Sequence, residues 1–249
     1  MERIMDFKAM KNGLKKFGRY VWELFKLSLP SSFMYCCAGT ILLMLTVKGD
    51  PLVWTSKEVS WTVVCILGGA AYNALMAWAS GGSHYEMLVS GNVKRMSSEA
   101  FEGGYKMSNH KEAKEYRAWK GFAFGAFSAL IAIVFGILFG CFQAQIDGQD
   151  VKGGLAVLLL LGFLLSGWSV IPFYLMNATG VSISYFVSCV FALIPIAVSG
   201  GFYIGGAYAR RNKRLREQLI AEKAAAAQEN KVKKINYGGV PGTKPKKRK

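Results

Sequence analysis

Residues 121–142 read GFAFGAFSALIAIVFGILFGCF, a run without Asp, Glu, Lys, Arg or His. A bilayer core of about 30 Å takes roughly 20 such residues in helix, because every backbone polar group must be paired inside the segment. Four more stretches qualify: Leu29 to Val47, Trp61 to Ser80, Gly154 to Tyr174, and Val181 to Tyr208, in which Pro195 is placed to kink the helix. The fold class expected is all-α: a polytopic helical membrane protein with about five hydrophobic segments.

Composition agrees with lipid as the solvent. The 249 residues are 52% hydrophobic with a net charge of +16, and the mean hydropathy is +0.25. Such a charge would by itself point to nucleic acid, but the basic residues sit in blocks between charge-free runs, as they do where loops flank a bilayer. Cys36, Cys37, Cys65, Cys141 and Cys189 lie in or beside the apolar runs with no C-x-x-C or Cys/His spacing, so they read as small apolar side chains. No cofactor is expected.

Residues 1–28 place Ile4, Phe7, Met10, Leu14, Phe17, Val21 and Leu24 at gaps of three or four, with Lys8, Lys15, Lys16 and Arg19 turned mainly to the other side. That is the pattern of a basic amphipathic helix lying in the membrane interface, with packing against another helix as the alternative. No small-residue cleavage site follows, so a cleaved signal peptide is not expected. Residues 29–80 hold membrane segments 1 and 2. Residues 81–120 form a polar insert, read as a helical hairpin turning at Gly103 and Gly104. A capping box of Asn109 and Glu112 predicts a second arm running unbroken from His110 through Tyr116 and Trp119 into segment 3. Residues 121–209 hold segments 3 to 5. Residues 210–249 form a basic tail, helical to about Gln228, disordered from Lys231, and ending in Lys244, Pro245, Lys246, Lys247, Arg248 and Lys249.

The distribution of basic residues bears on topology. If all five segments cross, Lys and Arg divide 14 against 17 between the two sides, which is no bias. If one segment after the third loop fails to cross, the division becomes 28 against 3, with the N-terminus, insert and tail together on the cytoplasmic side. The second arrangement is expected, in a multi-pass protein of the plasma membrane. The failure is placed around Pro172 to Gly180, where Asn177 to Gly180 interrupts the apolar run and would open a re-entrant hairpin.

Gly121, Gly125, Ala129, Ala132, Gly136 and Gly140 share one face of segment 3, a seam for close helix packing within the chain or against a second subunit. His84 and Glu86 lie on one arm of the insert and His110 and Glu115 on the other, candidates for metal ligands or an acid–base pair whose spacing matches no metal motif. G-x-S-x-G, H-E-x-x-H and a phosphate-binding glycine loop are missing, which disfavours an enzyme. The spans offer only Asn73 with scattered Ser and Thr, against an ion-coupled transporter or voltage sensor.

The function expected is therefore a non-enzymatic membrane subunit or scaffold, with segment 3 as its seam. Its basic ends, Lys8 to Arg19 and Lys244 to Lys249, would contact anionic lipid or a cytoplasmic partner. A membrane-protein partner or a second copy would complete the assembly. The first alternative is a small permease or channel using discontinuous helices near Pro172, Asn177, Gly180 and Pro195. The second is a membrane enzyme using the insert. Ribosomal or other RNA would meet the tail through phosphate alone, since no aromatics are interleaved to stack on bases.

Overall fold

The computed structural model describes residues 2–46, 54–90, 115–148 and 151–236, and the side chains of 13–15 and 17–230 among them. Its elements are α1 (Glu2–Thr46), α2 (Ser56–Ser90), α3 (Trp119–Cys141), α4 (Gln143–Asp147), α5 (Gly154–Ala178), a 3-10 turn (Tyr185–Val187), α6 (Ser188–Phe191) and α7 (Leu193–Asn236). No strand occurs among the described residues. Five segments are long and apolar enough to cross a membrane: Gly13–Thr46, Ser56–Ser90, Trp119–Cys141, Gly154–Ala178 and Tyr185–Asn230. The chain divides into a bundle, Met1–Ala207, and a second unit, Tyr208–Lys249.

Three expectations about helix boundaries change. The N-terminal basic stretch is not a separate element, because α1 runs without interruption through Pro30. Leu14 and Phe17 are exposed, whereas Leu24 is buried against α2, α3 and Tyr203, so the expected apolar stripe enters the bundle before residue 28. The second segment does not stop at Ser80, since α2 continues to Ser90 with Gly81, Gly82 and His84 buried. The predicted unbroken arm also fails at Glu115–Ala118, which are not helical. In a continuous helix the Glu115 carbonyl would accept from the Trp119 amide. Here it accepts from the Lys120 ammonium at 2.6 Å instead. Asn109, His110, Glu112 and the glycine turn lie outside the described residues. The start of α2 carries a cap that the sequence reading passed over: the Thr55 amide donates to the Glu58 carboxylate at 3.1 Å.

Contacts fix the direction of each helix. Tyr35 of α1 covers Gly69 of α2 while Leu24 lies with Ala77, so these two helices are antiparallel. Tyr20 meets Trp119 and Phe25 meets Phe127, so α3 runs with α1. Gly121 faces Tyr203, Gly125 faces Ser199, and Gly140 faces Phe186, so the chain from Tyr185 onward descends along α3 in the opposite sense.

The fourth apolar segment behaves differently. Ser166 has φ −130° and ψ 15°, outside the helical region, and α5 turns there. Phe163 and Tyr174 would lie about 16 Å apart along a straight helix, yet their ring centroids are 5.1 Å apart. Leu155 and Leu159 from before the turn share one buried cluster with Val170, Phe173 and Tyr174 from after it. Both ends of α5 therefore sit at the same end of the bundle, near Ile146 and Tyr185, and the apex at Ser166 and Gly167 reaches Gly39 in the C-terminal part of α1. A doubled-back segment was expected, but at Pro172 to Gly180. Pro172 lies inside the returning half, and Asn177 and Gly180 belong to the exit loop.

Candidate functional site where two irregular helices meet

A turn in mid-bundle leaves backbone carbonyls without their helical donors, and burial makes each unmatched group costly. Nearby hydroxyls and a thiol take them up. Ser166 Oγ donates to the Gly162 carbonyl at 2.8 Å and Ser169 Oγ to the Ser166 carbonyl at 2.9 Å. From α1, Cys36 Sγ lies 3.4 Å from the Leu165 carbonyl and Thr40 Oγ1 the same distance from the Leu164 carbonyl. Gly39 and Gly167 then touch through backbone alone: a methyl added to Gly39 would come 2.9 Å from the Gly167 nitrogen.

A second irregularity lies opposite. Pro195 has no amide proton, so the Phe191 carbonyl loses its helical partner and the chain turns at Ala192, whose amide bonds back to Cys189 at 3.2 Å. Ala192 belongs to the same buried cluster as Trp168 and Tyr35, with Ile196 packed against it. Asn73 of α2, 2% exposed, reaches this point and donates to the Pro195 carbonyl at 3.1 Å. The Tyr35 and Trp168 rings lie 4.7 Å apart. The Tyr35 hydroxyl is beside Asn73 yet makes no standard hydrogen bond. Below it, Ser32 and Ser128 share a hydrogen bond at 3.2 Å, and Ser199 Oγ donates to the Gly121 carbonyl at 2.7 Å. These buried hydroxyls continue toward the end of the bundle that holds Lys120.

That end is closed by aromatic rings. Tyr203 shares a hydrogen bond of 2.9 Å with His84 Nδ1, and it stacks on Tyr116 at 5.4 Å. Burial raises the Tyr116 phenol above its ordinary range. Lys120 is fully buried, its ammonium 5.3 Å from the Tyr20 ring centroid. The opposite end is laced by Asn177, which accepts from the Ile183 amide at 2.7 Å and donates to the Ile183 carbonyl at 2.9 Å. Gln143 also donates to that carbonyl at 3.0 Å, and Gly180 makes the turn with φ +86°.

The other expected site residues fall as follows. Gly121, Gly125, Ala129, Ala132 and Gly136 are buried and Gly140 is half-buried. The glycines of this face receive Tyr203, Ser199, Ser188 and Phe186 of the same chain. His84 and Glu86 belong to α2, Glu115 to the approach to α3, and His110 lies outside the described residues. No group of three His, Cys, Asp or Glu side chains that could hold a metal occurs among the described residues. Lys15 and Arg19 are exposed, while the side chains of Lys8, Lys16 and the terminal basic run lie outside the description. Of the four residues expected to form a path, the structure brings only Pro195 to the meeting of the two irregular helices. Tyr35, Ser166, Trp168 and Ser169 were missed. The signal for the apex was the small, hydroxyl-rich sequence Ser166-Gly167-Trp168-Ser169 inside an otherwise leucine-rich run.

Protein-family comparisons, curated proteins and solved structures yield no match to this chain.

Proposed function

We propose that this chain is a small membrane permease or channel, with α5 a re-entrant hairpin and its path following the buried polar groups between the apex and the Lys120 end. The supporting observation is the mid-bundle meeting of the Ser166 turn with the Ala192–Pro195 irregularity. Non-helical backbone at membrane depth is tolerated where it is buried in protein or lines a path, and transporters use such broken helices at the midplane. The small-residue face of α3, expected to pack within the chain or against a second subunit, is occupied from within the chain, which removes the main support for the scaffold reading. In this reading α1, α2, α3 and the segment from Tyr185 cross, α5 does not, and the basic majority faces the cytoplasm.

Flux of small solutes into liposomes containing the purified chain tests the reading. Uptake above protein-free liposomes is expected, with a change when Pro195→Ala restores the missing amide. A tight, inert protein would remove the proposal.

A membrane subunit remains the second reading, favoured by the helical unit after Ala207. Residues 208–230 of that unit are almost wholly exposed, including Leu215 and Ile220. It predicts a stoichiometric co-purifying protein that is lost on truncation after Arg211. Purification of a lone monomer would count against it.

A further inference from the structure

We infer that the exposed part of α7, from Tyr208 to Asn230, docks an acidic amphipathic helix of a partner protein along a seam centred on Leu215 and Leu219. The inference is independent of the permease reading.

Ala, Arg, Lys, Glu and Gln make up most of this stretch, so intrinsic propensity carries α7 onward as a helix. Leu215 and Leu219 are 47% and 56% exposed, and they stand one turn apart on one face. That face continues in alternating steps of four and three through Tyr208, Asn212, Leu215, Leu219, Glu222 and Ala226. Such spacing is the narrow seam of a coiled coil. A helix lying on a bilayer presents a broader apolar face, with its cations on the far side.

Charge identifies the occupant. Arg211 flanks the seam on one side, and Arg216 and Lys223 flank it on the other. Glu217 is turned to the opposite face, where it pairs with Lys213 at 3.9 Å. Arg211 lies over the Tyr208 ring at 5.8 Å, whereas Arg216 and Lys223 pair with no carboxylate among the described residues. A second copy in parallel register would set Arg211 against Arg216, like charge against like. A helix carrying Glu or Asp beside a leucine seam turns the same positions into ion pairs. Two residues within the seam specify that helix further. Asn212 pairs best with an Asn opposite, and Glu222 with a Lys or Arg.

The test uses the full-length chain in a neutral detergent and two synthetic three-heptad peptides. Both carry Leu in the seam, Asn facing Asn212 and Lys facing Glu222. One has Glu at every flanking position and the other has Lys. The acidic peptide is expected to bind at least about ten-fold more tightly by fluorescence anisotropy, with the difference shrinking as salt is added. Leu215→Ala combined with Leu219→Ala keeps the helix propensity and should weaken that binding about ten-fold or more. Arg216→Glu combined with Lys223→Glu should reverse the preference. Ile220→Ala, equally exposed but outside the seam, should change nothing. Equal binding of the two peptides, or acidic binding that survives the double alanine variant, overturns the inference. So does a dimer in light scattering that the double alanine variant converts to monomer, which would give the seam to a second copy. A dye on Leu219→Cys, in a chain lacking the five native cysteines, tests the remaining occupant. Its emission should not change when phosphatidylserine is added to the liposomes, and a blue shift would assign the seam to the leaflet instead.

Discussion

At Gly125 one methyl group decides whether two helices can touch. An added Cβ would come 2.5 Å from both the Pro195 oxygen and the Ile196 Cα, which are backbone atoms that cannot turn aside. Gly125→Ala is expected to destabilise the bundle by about 1–3 kcal/mol, as overpacking of a filled core does. Gly68→Ala should be nearly neutral, because nothing lies within 4 Å of the added atom. Thermal unfolding of the two variants in the same detergent compares them directly. The buried state of Lys120 belongs to this scale too. Its ammonium replaces a backbone amide at the Glu115 carbonyl, and that exchange ends the approach to α3.

At the scale of the element, the hairpin depends on two glycines in contact. Gly167→Leu would press a branched side chain onto the Gly39 carbonyl, since even a Cβ there comes within 3.0 Å of that oxygen. Exclusion of the apex from α1 should favour a straight α5 that crosses, carrying the tail to the far side. A cysteine at Gln228 is then expected to label from outside intact cells in the Gly167→Leu background. Labelling that stays internal would show that the hairpin does not depend on this contact. The five apolar segments were legible in the sequence because lipid selects them by the simplest property, a lack of charge over some 20 residues. The small-residue face of α3 was legible because helical periodicity alone defines it. The doubling back was legible in the balance of basic residues, whereas its position was not. Pro172 and Asn177 to Gly180 are louder local signals than Ser166-Gly167, but a proline can be absorbed inside a helix and a glycine turn can serve an ordinary exit loop. Contacts with α1 raise the quieter Ser166–Ser169 signal above them, and those contacts depend on residues more than a hundred positions away. Tyr35 was illegible for the same reason, since its contacts with Gly69, Asn73 and Trp168 join residues far apart in the chain.

For the whole molecule, sidedness is the deciding property. In the re-entrant reading, the basic segments fall on one side of the membrane and the short loops on the other, a division of 28 Lys and Arg against 3. Single cysteines at Ser98, Gly148 and Gln228, in a chain lacking its five native cysteines, should give external labelling at Gly148 alone. Labelling at Gln228 as well would require five crossings and contradict the re-entrant reading. The order of the chain gives the hairpin a further meaning. Its walls on α1 and α3 are synthesised before it, and the Tyr185 segment that packs beside it comes after. As α5 emerges, the half-built bundle already contains the Gly39 face on which the apex will rest. Fourteen basic residues follow Tyr208, and the positive-inside rule opposes their export. In the re-entrant reading, the charge beyond Tyr208 acts backward on a segment with none, since it holds the last crossing in one direction and so requires α5 to return the way it entered.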